Sequence, residues 1–436
     1  QNAMYDSNGV AGNHNTFLGV NSGAGGWTTG APTYNVGIGN FTLDGAMNGA
    51  TYNTAVGYEG LSGITTGDYN TAVGGRALDS MVTGTGNTAV GFDAGGVFTG
   101  GGGVFMGYEA GLSMVSADTA LIGYQAGKRM VGTGNVGLGY GVLYGASSTA
   151  ANNTGTYNTA MGVQALRWVS KTVGSTGIGA EAGYYITGSY NTFVGYKSGY
   201  GSITSAPYSS GGNNTGVGYG TLQNTTSGND NVAIGYRAGI ATTSASGSVM
   251  IGSGAGDATT TGNGHVIIGH NAGGTGNQAG LGNVVIGALA GNAITNAGNE
   301  GSVAIGYKAG AGVSNNNFTV IGYRAAPQGN YEGTVALGYK ALFSIDSSSP
   351  GEGNHAIGHA SLLNTTTGGQ NTGVGRQSGM HVTTGNHNTF IGYDTRGVAT
   401  GLRNTAIGAH AMGDTDAGST SADSDDNIFI GYDAGG

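Results

Sequence analysis

The hydrophobic and polar positions of this chain follow a short phrase that returns many times, for example Asn53-Thr-Ala-Val-Gly57 and Asn70-Thr-Ala-Val-Gly74. With the closing glycine as position 0, 24 copies follow one another, mostly 16 to 18 residues apart, and three intervals measure 23 residues. Position −1 is aliphatic or Met in all 24 copies, and position −2 is apolar in all of them. Position −3 is Thr or Val in 21 copies, and position −4 is Asn in 16.

This pattern predicts a strand that is covered on both faces. Thr, Val and Ile favour strands, and successive side chains of a strand point to opposite faces. Positions −3 and −1 therefore share one face, and positions −2 and 0 share the other. Both faces are apolar, as in buried parallel strands. We expect the −3 and −1 face to close the inside of a coil. We expect the −2 face, with its frequent Ala and Gly, to meet identical neighbouring chains.

The repeat length predicts the fold class, an all-β parallel β-solenoid of about 24 coils with 16–18 residues per coil. Such a unit is too short for a strand–helix–strand crossover. Each coil is expected to hold the phrase strand, a tight turn, a second short strand such as GITTG (63–67) and another turn. Glycines after the phrase and in TTG would supply turns with positive φ angles, and Asn at −4 would form a ladder of amide hydrogen bonds. Residues 1–436 are interpreted as one continuous repeat domain, and we expect it to be a piece of a longer fibre protein.

Composition removes several other classes of protein. The 95 glycines do not recur at every third position and only 4 prolines are present, which excludes collagen. Only 8% of residues are charged and 38% are hydrophobic, unlike typical disordered chains. With 13 Lys and Arg and a net charge of −9, we expect no nucleic-acid partner. There is no cysteine, which excludes disulfide bonds and thiolate metal sites. There is also no apolar run of transmembrane length, so we expect no membrane insertion by this chain.

Three passages, NVAIGYRAG (231–239), SVAIGYKAG (302–310) and NTAVGYEGL (53–61), resemble the head repeats of trimeric autotransporter adhesins. They are equally similar to the related repeats of phage tail fibres. The resemblance implies a left-handed parallel β-roll that assembles as an intimate homotrimer. It also implies a non-catalytic shaft that attaches to a glycan or protein receptor on a host cell or surface. The chain would then be extracellular, at the cell surface or on a virion.

The three long intervals predict surface loops at 145–156, 200–213 and 413–426. Loops on a rigid scaffold are frequent sites of specificity, and tolerated insertions are the alternative. The candidate receptor-contact residues are Asn152, Asn153, Tyr200, Pro207, Tyr208, Asp414, Asp416, Asp423 and Asp425. Tyrosine occupies position +1 in 12 copies. This stripe is either a structural ladder or a surface on which carbohydrate stacks.

The sequence predicts no cofactor. Two sets of residues are candidate metal ligands and form the alternative to that prediction. His355 and His359 lie at −3 and +1 of one strand, so an axial metal ion in a trimer is possible on this pattern. Asp414 and Asp416 belong to an acidic stretch that partly fits a calcium loop. Packed or exposed histidines and a solvated acidic loop are the simpler interpretations.

Two other functions remain as alternatives to an adhesive fibre. An ice-binding or surface-binding solenoid is suggested by Thr at −3 in 12 copies, although that position is expected to be buried. A glycan-processing β-helix would need clustered acids in a groove, which the sequence does not display. We therefore expect no enzymatic activity.

Overall fold

The chain is an all-β parallel β-solenoid without a helix in the residues that the structure describes. The computed structural model describes residues 12–115, 117–146, 153–201, 209–274, 280–294, 300–313, 317–329, 332–346, 352–413 and 425–435. The chain divides into two compact units, Gln1–Gly220 (unit 1) and Thr221–Gly436 (unit 2). Both are built from the same coil.

All 24 phrases form a three-residue strand at positions −3 to −1. The strands of unit 1 are β1 (Thr16–Leu18), β2 (Val36–Ile38), β3 (Thr54–Val56), β4 (Thr71–Val73), β5 (Thr88–Val90), β6 (Val104–Met106), β7 (Ala120–Ile122), β8 (Val136–Leu138), β9 (Thr159–Met161), β10 (Thr176–Ile178), β11 (Thr192–Val194) and β12 (Thr215–Val217).

Unit 2 contains twelve phrase strands and two shorter ones. They are β13 (Val232–Ile234), β14 (Val249–Ile251), β15 (Val266–Ile268), β16 (Val284–Ile286), β17 (Val303–Ile305), β18 (Gly312–Val313), β19 (Thr319–Ile321), β20 (Gln328–Gly329), β21 (Val335–Leu337), β22 (His355–Ile357), β23 (Thr372–Val374), β24 (Thr389–Ile391), β25 (Thr405–Ile407) and β26 (Ile428–Ile430).

Consecutive phrase strands within each unit pair in parallel and in register. Strands β3 and β4, for example, align Thr54 with Thr71, Ala55 with Ala72 and Val56 with Val73. Every phrase position therefore becomes a row that passes from coil to coil. The rows decide which side chains face the interior and which face outward.

The −2 row lies inside the coil, which corrects the predicted assignment of the two faces. Ala55, Ala72 and Ala89 are 0% exposed within their own chain, so no neighbouring chain is needed to cover them. The opposite wall stands close to this row, since a Cβ atom added to Gly60 would lie 3.5 Å from the Ala55 Cβ. Small residues at −2 thus fit a narrow interior. The −3 and −1 rows point outward.

The rest of the core comes from the turn that follows each strand. Position +3 is mostly a buried alanine, such as Ala77. Position +4 is often a buried leucine, such as Leu78, and position +7 holds residues such as Met81 and Phe98. The side chains at these three positions and in the −2 row together form the interior of each coil. A single protomer therefore has an apolar core of its own.

The predicted asparagine ladder is confirmed. Asn70 is buried, and its backbone N–H and its side-chain Nδ2 donate to Asn53 Oδ1 at 3.0 and 2.9 Å. The same Nδ2 donates to the Gly84 carbonyl at 2.9 Å, and Asn70 Oδ1 accepts from the Asn87 backbone N–H at 3.0 Å. One amide therefore ties together three successive coils.

The glycine at position 0 is required for two reasons. Gly57 has a φ of +136°, and a Cβ added there would lie 2.4 Å from the Gly74 carbonyl oxygen of the next coil. The glycine of TTG does not have a positive φ, contrary to the prediction. At Gly67 the reason is close approach alone, because an added Cβ would lie 2.2 Å from the Gly84 oxygen.

The predicted second strand in each coil is also wrong for GITTG. Residues 63–67 form a turn and bends. Their backbone still bonds to the next coil, for example from Thr65 N–H to the Val82 carbonyl at 2.9 Å. Among the described residues, only β18 and β20 form a regular second pair of strands.

Candidate interaction surface

The outward side of the phrase strands is apolar and remains exposed in the single chain. We call the rows at −3, −1 and +1 the outward face. The −1 side chains are 37% exposed at Val73, 41% at Met106 and 44% at Leu138. The −3 side chains, mainly Thr and Val, are mostly half-buried. No Asp, Glu, Lys or Arg occupies either row, so these two rows are also electrically neutral.

The tyrosines at +1 stack on one another along the edge of the outward face. Ring centroids are 5.2 Å apart between Tyr108 and Tyr124, and 5.3 Å apart between Tyr124 and Tyr140. In unit 2 the Tyr323 and Tyr339 rings are 5.2 Å apart. These rings cover each other's faces while one edge of each remains exposed, which supports the structural-ladder interpretation.

A second aromatic row, at position −5, was not predicted from the sequence. His14, Tyr34, Tyr52 and Tyr69 stack with centroid separations of 4.9, 4.8 and 5.2 Å. The signal in the sequence was a tyrosine directly before the phrase asparagine, as in TYNT and DYNT. Aromatic ladders thus lie before and after some of the phrase strands of unit 1.

The predicted contact residues have separate environments where they are described. Tyr200 is half-buried and its ring stacks on Tyr184 at 5.2 Å. Burial raises the pKa of its phenol. Asn153 is fully buried and its Nδ2 donates to the Arg129 carbonyl at 2.9 Å. Its side chain therefore belongs to the coil interior. Asp425 accepts from the Leu402 backbone N–H at 2.8 Å. The remaining candidates, Asn152, Pro207, Tyr208, Asp414, Asp416 and Asp423, lie outside the described residues.

The two histidines predicted as weak metal candidates both lie on the outward face. His355 and His359 are exposed, and the His359 ring stacks on Tyr339 at 5.0 Å. In the part of the chain that the structure describes, no three His, Asp or Glu side chains come together as a metal site. His265, another histidine of the sequence, is buried at position −4, where its Nδ1 accepts from the Asn283 backbone N–H at 3.2 Å.

No protein-family model matches the chain, and no curated protein matches it either. Within the described residues, no helix has the length and apolar character needed to cross a membrane.

Proposed function

We propose that this chain is a non-catalytic fibrous protein that assembles with identical copies through its outward face and serves in attachment. One observation carries the proposal, namely a neutral apolar row at −1 that repeats at every coil, with 14 of its 24 side chains at least 37% exposed in the single chain and the other ten half-buried. Soluble monomers rarely expose contiguous apolar patches larger than a few hundred Å². A surface of this kind is typical of a site covered by a partner.

A second copy of the chain fits this surface better than an unrelated partner. The rows recur with the spacing of stacked strands, about 4.8 Å, and another copy presents the same spacing. Covering the exposed part of one Val or Ile contributes about 1 kcal/mol. A dozen such contacts would contribute about 12 kcal/mol, which is of the same order as the cost of association, about 4–15 kcal/mol.

Three copies around one axis is the arrangement implied by the resemblance to trimeric adhesin heads and tail fibres. A closed cyclic assembly would bury the outward face of each copy against its neighbours. The left-handed roll and the extracellular or virion location belong to the same proposal. The attachment role rests on that resemblance, and a receptor would be met by surfaces that the assembly leaves free.

The test places three acidic residues on the outward face. We expect the Val73→Asp, Val90→Asp, Met106→Asp variant to lose self-association, because burying these carboxylates is costly. The matched control is Val82→Asp, Val97→Asp, Val115→Asp, which changes three valines that lie outside the outward rows and are 43%, 43% and 47% exposed. Light scattering after size-exclusion chromatography would give three copies for the parent and for the control variant. A monomeric parent, or an outward variant that keeps its mass, contradicts the proposal.

A second readout does not depend on how well the acidic variant folds. The chain has no cysteine, so Val73→Cys and Val82→Cys each introduce a single thiol. We expect Cys at position 73 to react with a thiol reagent far more slowly than Cys at position 82. Equal reaction rates would mean that the outward face is free in solution.

The structure also gives a reason to test a second candidate, a solenoid that binds ice or another regular surface. The −3 threonines were expected to be buried, but Thr54, Thr71 and Thr88 are only partly buried and lie on the outward side in register. If the chain is monomeric, this flat row is available to a lattice. Thermal hysteresis of the parent chain that disappears in Thr54→Lys, Thr71→Lys would favour this function over self-association.

A further inference from the structure

Three cations occupy the same position on three successive coils of unit 2. Lys308, Arg324 and Lys340 each lie two residues after the phrase glycine. At a rise of about 4.8 Å per coil, they form a row on the order of 10 Å long. Since the whole chain has only 13 Lys and Arg, this concentration of positive charge is unusual.

A cavity of about 460 Å³ opens beside this row. Lys308 and Arg324 line it, together with Pro327, Gln328, Ser344 and Ile345. The space exists because position +5 is small in two coils, as Ala311 and Pro327, and large in the next, as Phe343. The pairing of β18 with β20 gives this part of the coil a regular backbone.

The cations are held in place but are not neutralised. The Arg324 guanidinium carbon lies 4.8 Å from the Phe343 ring centroid, and Lys340 Nζ lies 5.1 Å from the same centroid. Arg324 Nε is buried without a hydrogen-bond partner. In the described part of the chain, none of the three cations forms an ion pair with a carboxylate. The site therefore has positive charge and donor groups to offer a ligand.

We propose that this cavity binds an acidic saccharide, with carboxylates of uronic-acid units on the Lys308–Arg324–Lys340 row. A guanidinium is suited to a carboxylate, which it can hold through two parallel hydrogen bonds. The Gln328 amide and the Ser344 hydroxyl suit sugar hydroxyls, and Pro327 suits the apolar face of a sugar ring. A volume within the usual range of about 300–1,000 Å³ fits one or two rings.

The row favours a ligand with several negative groups over a single small anion. Three charges at regular intervals match a chain that carries one carboxylate per unit. All lining residues belong to unit 2 of one protomer, so no second copy has to contribute a residue to the site. The inference thus goes beyond the proposed assembly and is tested separately from it.

The experiment uses the full chain, a uronic-acid oligosaccharide and its methyl-esterified form, which differs only in charge. We expect saturable binding of the acid by calorimetry, weakening with added salt, and no binding of the ester. Arg324→Gln should weaken binding by at least about tenfold, which corresponds to about 1.4 kcal/mol. Arg324→Lys should have an intermediate affinity, because it retains the charge and loses the planar fork.

Arg237→Gln is the matched control, since Arg237 also lies at +2 in unit 2 but the next coil has Gly254 there. It should bind like the parent. The proposal fails if the acid does not saturate, if ester and acid bind alike, or if Arg237→Gln weakens binding as much as Arg324→Gln. Inorganic phosphate that competes at equal concentration would also overturn it, because the site would then be a general anion site. The mass of each sample shows whether assembly has changed independently.

Discussion

Two neighbouring residues of strand β4 show how differently the two apolar faces of one strand are used. Ala72 is 0% exposed, and Val73, the next residue, is 37% exposed. Both belong to rows that are apolar at every coil. The inward row is covered by its own turn, while the −1 row is only partly covered in the single chain.

The comparison teaches that side-chain size, more than polarity, separates the two faces. The interior is narrow, so the −2 row is rich in Ala and Gly and the larger residues occur where space allows, as at Phe105. The −1 row lies outside this interior and holds Val, Ile, Leu or Met in every coil. Bulky apolar residues without an internal constraint are what an intermolecular contact would require.

The largest difference is expected between an acidic residue placed in the interior and one placed at an exposed position of the same coil. In the Val73→Asp, Val90→Asp, Met106→Asp background, adding Ala72→Asp should destabilise the coils around β4 by about 3 kcal/mol or more, because a carboxylate enters an apolar interior. Adding Val82→Asp instead should cost less than about 0.5 kcal/mol. Hydrogen exchange of β3, β4 and β5 measures this local stability. Similar exchange rates in the two variants would contradict the assignment of faces.

A smaller effect is expected from the asparagine ladder, which lies on the inward side. Asn70→Leu leaves the Gly84 carbonyl and the Asn87 N–H without their partner, at a cost of about 2–4 kcal/mol. Asn70→Ser should cost less, because Ser175 already takes this position and its Oγ accepts from the Asn191 N–H at 3.1 Å. Hydrogen exchange of the adjoining strands is again the measurement. An equal loss for Leu and Ser would show that the amide bonds add little.

The smallest effect should be a gain in stability inside the coil. Thr365 is fully buried at position +7 and its hydroxyl has no hydrogen-bond partner, while Val382 occupies the same position in the next coil. Thr365→Val should therefore raise the free energy of unfolding by about 1 kcal/mol, since it removes an unpaired polar group. Val382→Thr should lower it by about the same amount. Thermal unfolding of both variants tests the pair, and a loss in Thr365→Val would mean that the hydroxyl is satisfied in solution.

The repeated phrase was enough to predict the strands, their parallel order and the asparagine ladder. Asn at −4 and Gly at 0 can satisfy few other geometries, so the sequence states their roles directly. The two faces could not be assigned in the same way, because positions −2 and −1 lie on opposite faces and are both apolar in every copy. Assigning them required knowing how near the opposite wall lies, and that distance depends on the turn residues at +3 and +4.

The cation row could be predicted from the sequence, but the cavity beside it could not. Lys308, Arg324 and Lys340 are spaced 16 residues apart in the sequence, so their alignment follows from the repeat alone. The cavity beside them depends on the contrast between Pro327 and Phe343 at position +5. This difference in side-chain size predicts a cavity only when the path of the backbone around the coil is known.

The close contact between successive phrase glycines has a consequence for how such a chain can change over time. Within each unit, the phrase glycine lies against the phrase glycine of the next coil, and intervals of 16 to 23 residues all keep this contact. Whole coils can therefore be duplicated or deleted by recombination within a unit without creating a new kind of contact. An insertion or deletion that interrupts a phrase would disrupt this contact. We therefore expect this sequence to evolve by gain or loss of complete repeats.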